Sequence, residues 1–334
     1  MPDAPPAPED FPSLLPKRLV APDRHAGLDA MSSFMAATRA IADDARMQPH
    51  LKGAHLTALE GALTTQEGYV PLPKGVSPAV MSPGFTLRRE SDERRVPVIY
   101  GRRVAQATKN DMAKKAYRDW SDLLAYLRFS AGSAGQYAAD VLGIDRALAP
   151  HVEALAIAHA LLSRMESLAS DVARGRLYLP QRWLSDAGLD ADHPTFDGAE
   201  GARWLKVRDE GVAQVRKLLT QGAPAMRGLR FAADGAAAAN PNAGRAAPGT
   251  RTAEGYLAGS GDIEGRGHSG ADLTRTPANS GAVDRWKLKL ALAWVKAGLE
   301  ARCDALAASP AFPAPASPPP STFRLAIATV RAVL

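Results

Sequence analysis

The chain has 334 residues, 46% hydrophobic but only 6% aromatic, so its core must be built from Ala, Leu and Val, a composition that favours helices over sheets. A net charge of +6 suits an anionic partner, while the single cysteine, Cys303, excludes a disulfide framework and a cysteine-based zinc site and points to a reducing, cytoplasmic setting. The basic residues form no dense block and no nucleic-acid motif is present, so nucleic acid is not an expected partner.

Residues 1–12 are Pro-rich and acidic, without the basic start or apolar core of a secretory leader, and read as a disordered tail. From Pro22 to Leu63 apolar residues recur three and four apart (Leu28, Met31, Phe34, Met35, Ile41), predicting two helices divided at Gln48-Pro49-His50. Residues 66–98 carry Pro, Gly and a charged run from Arg88 to Arg95, and read as a long loop. Helix resumes near Gly101, again from Asp119 to Leu142, and again from Pro150 to Val172. That last run is nearly all Ala, Leu and Ile, the pattern of a helix at the centre of a bundle.

Trp183 to Asp197 reads as a connector and 199–231 as an amphipathic helix with several basic residues. Residues 232–281 are rich in Gly, Ala, Asn, Ser and Thr and read as a flexible insert. Within it, Gly259–Gly267 has a phosphate-loop look, but no strand precedes it and no apolar helix follows. Asp284 is placed to cap a helix over 282–308, with Trp286, Leu290, Trp294, Leu288, Leu292, Val295 and Leu299 on its apolar side. A Pro-rich linker (309–321) and a short terminal helix (322–334) follow. No uninterrupted apolar run approaches the ~20 residues that span a bilayer, so membrane contact is expected to be peripheral, at the inner face.

Three separated segments resemble the squalene and phytoene synthase family. They are Tyr126-Leu-Arg-Phe-Ser-Ala-Gly-Ser-Ala-Gly135, Asp171 followed by Arg176-Leu-Tyr-Leu-Pro180, and Ile41-Ala-Asp43 followed by Leu56-Thr-Ala-Leu-Glu60. Glu9-Asp-Phe-Pro12 with Leu14-Leu-Pro16, and Asn110-Asp-Met112 before Tyr117-Arg-Asp-Trp-Ser121, resemble its hydroxysqualene-synthase branch in hopanoid biosynthesis. The resemblance implies an all-α, isoprenoid-synthase-like bundle around a central apolar pocket. Two acidic helices there hold Mg2+ against a prenyl diphosphate, because a leaving diphosphate needs its developing charge neutralised by hard cations. It further implies catalytic roles for Tyr126, Asp43 and Asp171, substrate contacts from Arg39, Arg128, Ser130, Arg176 and Tyr178, and metal ligation by Asp43 and Asp171.

The chain departs from the family where the metal should sit. Asp-Asp-x-x-Asp is replaced by Arg39-Ala-Ile-Ala-Asp43, and Asp-x-x-x-Asp by Ser167-Leu-Ala-Ser-Asp171; Asp44 and Glu166 are imperfect neighbours. Two lone carboxylates are poor hosts for three divalent ions. Arg39 puts a cation where an acid is expected and could grip a diphosphate directly; the plainer reading is a solvated helix residue.

Plainer readings exist elsewhere too. Tyr126 fits a core tyrosine with a satisfied hydroxyl, Ser130, Ala131 and Gly135 a close helix approach, and Arg176 with Tyr178 a loop anchor. His151 and His159 read as structural histidines. Two functions follow: a protein binding a prenyl diphosphate or its C30 product, or a catalytically inactive family member serving as an assembly or partner protein beside the enzymes of squalene synthesis. A generic lipid carrier at the membrane surface is a third.

Overall fold

A computed structural model describes residues 10–65, 72, 74–114, 116–196, 200–228 and 282–313. The insert over 232–281, the linker beyond residue 313 and the terminal helix over 322–334 lie outside the described residues. Of the expected tail over 1–12, residues 10–12 are ordered: Asp10 caps a 3-10 turn, Phe11–Leu14, and Phe11 is buried against the bundle, while 1–9 lie outside the described residues.

The helix breaks fall where local chemistry puts them. Helix α1 runs Pro22–Asp43 and α2 Pro49–Gly61, each entered through a proline whose missing N–H costs nothing there. The predicted loop over 66–98 is in large part helix α3, Ser82–Arg94. Its buried face is Gly84, Leu87, Glu90 and Ser91, with Leu87 the one large apolar side chain, so it has no apolar period to read; Arg88–Asp92 and Glu90–Arg94 pairs lie one turn apart along it. Arg95 closes it in the left-handed conformation (φ 56°).

Helix α4 spans Ile99–Ala113 and a short strand, β1, Ala116–Tyr117. Helix α5 (Trp120–Leu127) passes through a π-helical turn, Arg128–Gly132, into α6 (Ser133–Leu142). Asp119 caps α5: its carboxylate accepts from Ser121 Oγ at 2.6 Å and Asp122 N at 3.0 Å, and these bonds hold its pKa down to about 2.

Helix α7 (Ala149–Glu166) is the central helix its composition predicted, buried on most faces from Val152 to Met165. A single turn, α8 (Leu168–Ala173), and strand β2 (Leu177–Pro180) follow. The connector expected over 183–197 begins within a further helix, α9 (Gln181–Ala187). Helices α10 (Gly201–Gly222), α11 (Pro224–Gly228) and α12 (Ala282–Ala308) complete the bundle, with α10, α6 and α12 packed around α7. Gly135 of α6 permits one close approach, since a Cβ there would lie 2.7 Å from the Cβ of Ala156. On α12, Leu288, Leu292, Val295 and Leu299 face the core as expected. Trp286 points outward, and Asp284 sits inside the first turn rather than at the cap.

Candidate functional site: an arginine, tyrosine and aspartate cluster

The end of α7 builds the site. Ser167 (φ −90°, ψ 5°) leaves the helical conformation, α8 adds one turn, and Gly175 (φ 73°) reverses the chain in a conformation costing roughly 1–2 kcal/mol for a residue with a Cβ. The Arg176 N–H returns to the Asp171 carbonyl at 2.9 Å. This reversal lays β2 parallel to β1 and brings Arg176 and Tyr178 beside Tyr117.

Asp171 is fully buried and saturated from within. Ser167 Oγ donates to it at 2.8 Å, Arg174 pairs closely with it, and Arg164 Nη1 stands 3.5 Å away. The Arg164 guanidinium lies over the Tyr178 ring, 3.8 Å from its centroid, and its Nη2 approaches the Tyr126 hydroxyl at 3.5 Å. Burial works against the charge of Arg164, but Tyr126, Tyr178, Asp171 and Asp111 outweigh it and hold the pKa above its ordinary value.

Asp111, also buried, accepts from the Tyr117 hydroxyl at 2.7 Å, the Tyr178 hydroxyl at 2.5 Å and Arg176 Nη1 at 3.1 Å. Arg176 reaches on to Asp43 at 3.4 Å and donates to the Ala42 carbonyl at 3.3 Å, tying β2 to the end of α1. The Tyr117, Tyr126 and Tyr178 rings pack as a trio with centroids 5.3 to 6.0 Å apart. Burial raises the pKa of all three, so each phenol is a hydrogen-bond donor at neutral pH and not a base. Arg39, on α1 one turn before Asp43, meets Asp10 at 3.4 Å; burial, reinforced by Arg164, pulls its pKa down against the pull of Asp10.

The structure thus brings Asp43, Tyr126, Asp171, Arg176 and Tyr178 into one cluster, with Arg39 one turn before Asp43 and directed to Asp10. It leaves Arg128 apart: that side chain is largely exposed and points to Glu153 at 3.9 Å. Ser130 Oγ is spent on the Tyr126 carbonyl at 2.8 Å. Asp44 accepts from the Arg46 amide, and Glu166 is held by Arg302 of α12, so neither joins. His151 faces the Gln221 carbonyl at 2.7 Å and buried His159 faces Arg302 at 3.1 Å. Sequence reasoning missed Arg164, Asp111 and Tyr117. The only trace of Arg164 is its spacing, three residues before Ser167 and seven before Asp171, which places it on their helix face.

Magnesium does not fit this donor set. Asp171 spends its oxygens on Ser167, Arg174 and Arg164, and Asp43 is held by Arg176, leaving too few oxygens for hard octahedral ions. Among the described residues, no group of three or more His, Cys, Asp or Glu side chains is placed to hold a metal ion. Two clefts of about 320 and 570 Å³ lie elsewhere, one beside Pro12, Leu15 and Leu28, the other beside Trp120 and Trp183. No helix among the described residues is long and apolar enough to cross a membrane.

An all-α bundle with an end-on cluster between its first and central helices defines the class: the helical isoprenoid-synthase fold. A crystal structure of a dehydrosqualene synthase shares it, with a TM-score of 0.56 and 14% identity over 96% of this chain and 88% of that one. The chain matches the squalene/phytoene synthase family model over residues 15–247, and it belongs to that family. It is 27% identical over 175 residues to the hydroxysqualene synthase of Sinorhizobium fredii, covering 52% of this chain and 56% of that protein. It is 29% identical over 120 residues to a chloroplastic phytoene synthase of an Oncidium hybrid cultivar, covering 34% of this chain and 29% of the enzyme. The chain therefore spans well under two thirds of these relatives' length.

Proposed function

We propose that the protein acts in isoprenoid metabolism by binding a prenyl diphosphate, or the C30 product made from one, at the Arg/Tyr cluster, without ionising it through metal. One observation carries this reading: the end of α1 and the 164–178 segment still converge on one cluster, but with Arg39 and Ser167 where ionisation would need acids, and with Arg164 and Arg176 on the acids that remain. The tyrosine trio adds flat apolar faces beside those cations, which suits the first carbons of an isoprenoid chain.

The test is incubation with farnesyl and presqualene diphosphates, measuring binding and pyrophosphate release. Saturable binding is expected, with release no faster than without protein and unchanged in Asp43→Asn and Asp171→Asn. Magnesium-dependent release that collapses in those two variants would overturn the reading in favour of an active prenyltransferase. The complete internal pairing of Asp171 also favours a second reading, a family member without chemistry that serves as an assembly or partner protein of the squalene-forming enzymes. Absence of any prenyl-diphosphate binding would select it.

A further inference from the structure

The apolar residues of α12 fall in two stripes, and the core uses one of them. Leu288, Leu292, Val295 and Leu299 share the buried face. Val283, Trp286, Leu290 and Trp294 line about a quarter of the circumference on nearly the opposite side. This second stripe is open where the helix begins: Val283 is 65% and Trp286 46% exposed, one turn apart, whereas Leu290 and Trp294 are half-buried. Its far end lies under Arg18 of the turn Lys17–Leu19, whose guanidinium carbon is 5.6 Å from the centre of the Trp294 ring. An exposed indole beside an exposed valine is burial that the bundle itself leaves undone.

The charge around the stripe selects what covers it. Over 282–290 the helix carries three cations, Arg285, Lys287 and Lys289, and one acid, Asp284. Lys287 is exposed next to Trp286, and Arg18 is exposed at the other end. Protein partners seat apolar centres from which lysine is depleted. A bilayer surface instead takes indole rings at the headgroup level, and long cations whose stems lie along apolar groups while their charges reach anionic lipid. We propose that the first turns of α12 form a membrane-surface contact, with Val283 and Trp286 entering the headgroup region and Lys287 and Arg18 drawn to anionic headgroups. Helix α12 supplies no residue of the arginine and tyrosine cluster, so the contact stands or falls apart from the binding reading above.

The experiment is flotation of the full chain with vesicles of phosphatidylcholine, with and without phosphatidylglycerol, at low and high salt. Binding to the phosphatidylglycerol vesicles is expected, weakened by salt, with little to phosphatidylcholine alone. Trp286→Gln should lower it about tenfold and Lys287→Gln about fivefold, with the helical circular dichroism unchanged because both side chains are exposed. Phe129→Ser, at an exposed aromatic of another element, should leave it unchanged. Failure to float with anionic vesicles overturns the contact, as does binding that survives Trp286→Gln intact or falls equally in Phe129→Ser. Equal binding with and without phosphatidylglycerol overturns the part given to Lys287 and Arg18. Self-association in sedimentation velocity without lipid, abolished by Trp286→Gln, would assign the stripe to a second copy of the chain and overturn the lipid reading.

Discussion

Asp111 and Asp43 are the same carboxylate and share one partner, Arg176, yet their settings differ. The Asp111 side chain is 6% exposed and accepts from two phenols as well as the guanidinium, whereas that of Asp43 is 42% exposed and meets Arg176 at 3.4 Å. A buried acceptor serving three donors is costly to disturb, because each donor is then left short; an exposed pair is screened by water. Asp111→Asn is therefore expected to cost about 2–3 kcal/mol of folding stability, and Asp43→Asn less than about 1 kcal/mol, in urea unfolding at neutral pH. Equal losses would mean that Asp111 is not the strut its bonds suggest. The contrast also shows what was legible at this scale. Asp43, Asp171, Arg176 and Tyr178 stood out because they sit in recognisable segments. Arg164 was hidden inside an apolar run, where neither periodicity nor spacing marks a residue as a ligand, and Asp111 sat in a segment, Asn110-Asp-Met112, that pointed to the family without giving the acid a role.

Whole elements were legible where burial dominates their pattern. Helices α1, α2, α7, α10 and α12 each show a face or a body of apolar residues; α1, α2 and α12 fall close to the predicted bounds, while α7 ends at Glu166 rather than Val172 and α10 at Gly222, short of the predicted 231. Helix α3 was not legible because its buried face, Gly84, Leu87, Glu90 and Ser91, holds only one large apolar residue, and β1 with β2 because two parallel strands of two and four residues are too short to show alternation. One tie between elements depends on an acid that read only as an imperfect neighbour of the second acidic motif. Glu166, at the end of α7, takes Arg302 of α12 in a two-point contact (3.2 and 2.5 Å), and the same guanidinium reaches His159 at 3.1 Å and Ser163 at 3.3 Å. Charge-assisted two-point pairs are stronger than single ones, and this pair is about three-quarters shielded from water. A double-mutant cycle of Glu166→Gln and Arg302→Gln should therefore give a coupling of about 1–2 kcal/mol. A coupling near zero would show that α12 is held by its leucine stripe alone.

At the scale of the molecule, the small number of aromatic residues makes their placement telling. Of seven tyrosines, five (Tyr100, Tyr117, Tyr126, Tyr137 and Tyr178) have pKa values raised chiefly by burial; Tyr69 and Tyr256 lie outside the described residues. An unfolded chain gives up phenolic protons near the ordinary value, roughly pH 10, while the folded chain keeps them. The folded state then binds more protons than the unfolded one over this range, so stability is whole below about pH 10 and falls as the pH rises through the folded values. Tyr137 reaches its own at about 12. The three phenols of the cluster are raised as well, chiefly by burial within the bundle, so the site and the fold are expected to fail together rather than the site first. In an alkaline titration followed by tyrosinate absorbance and far-ultraviolet circular dichroism, most of the absorbance rise should lag behind that of free tyrosine and coincide with loss of the helical signal. Smooth ionisation of all seven phenols near pH 10 with the helices intact would contradict the buried aromatic arrangement on which the site geometry depends.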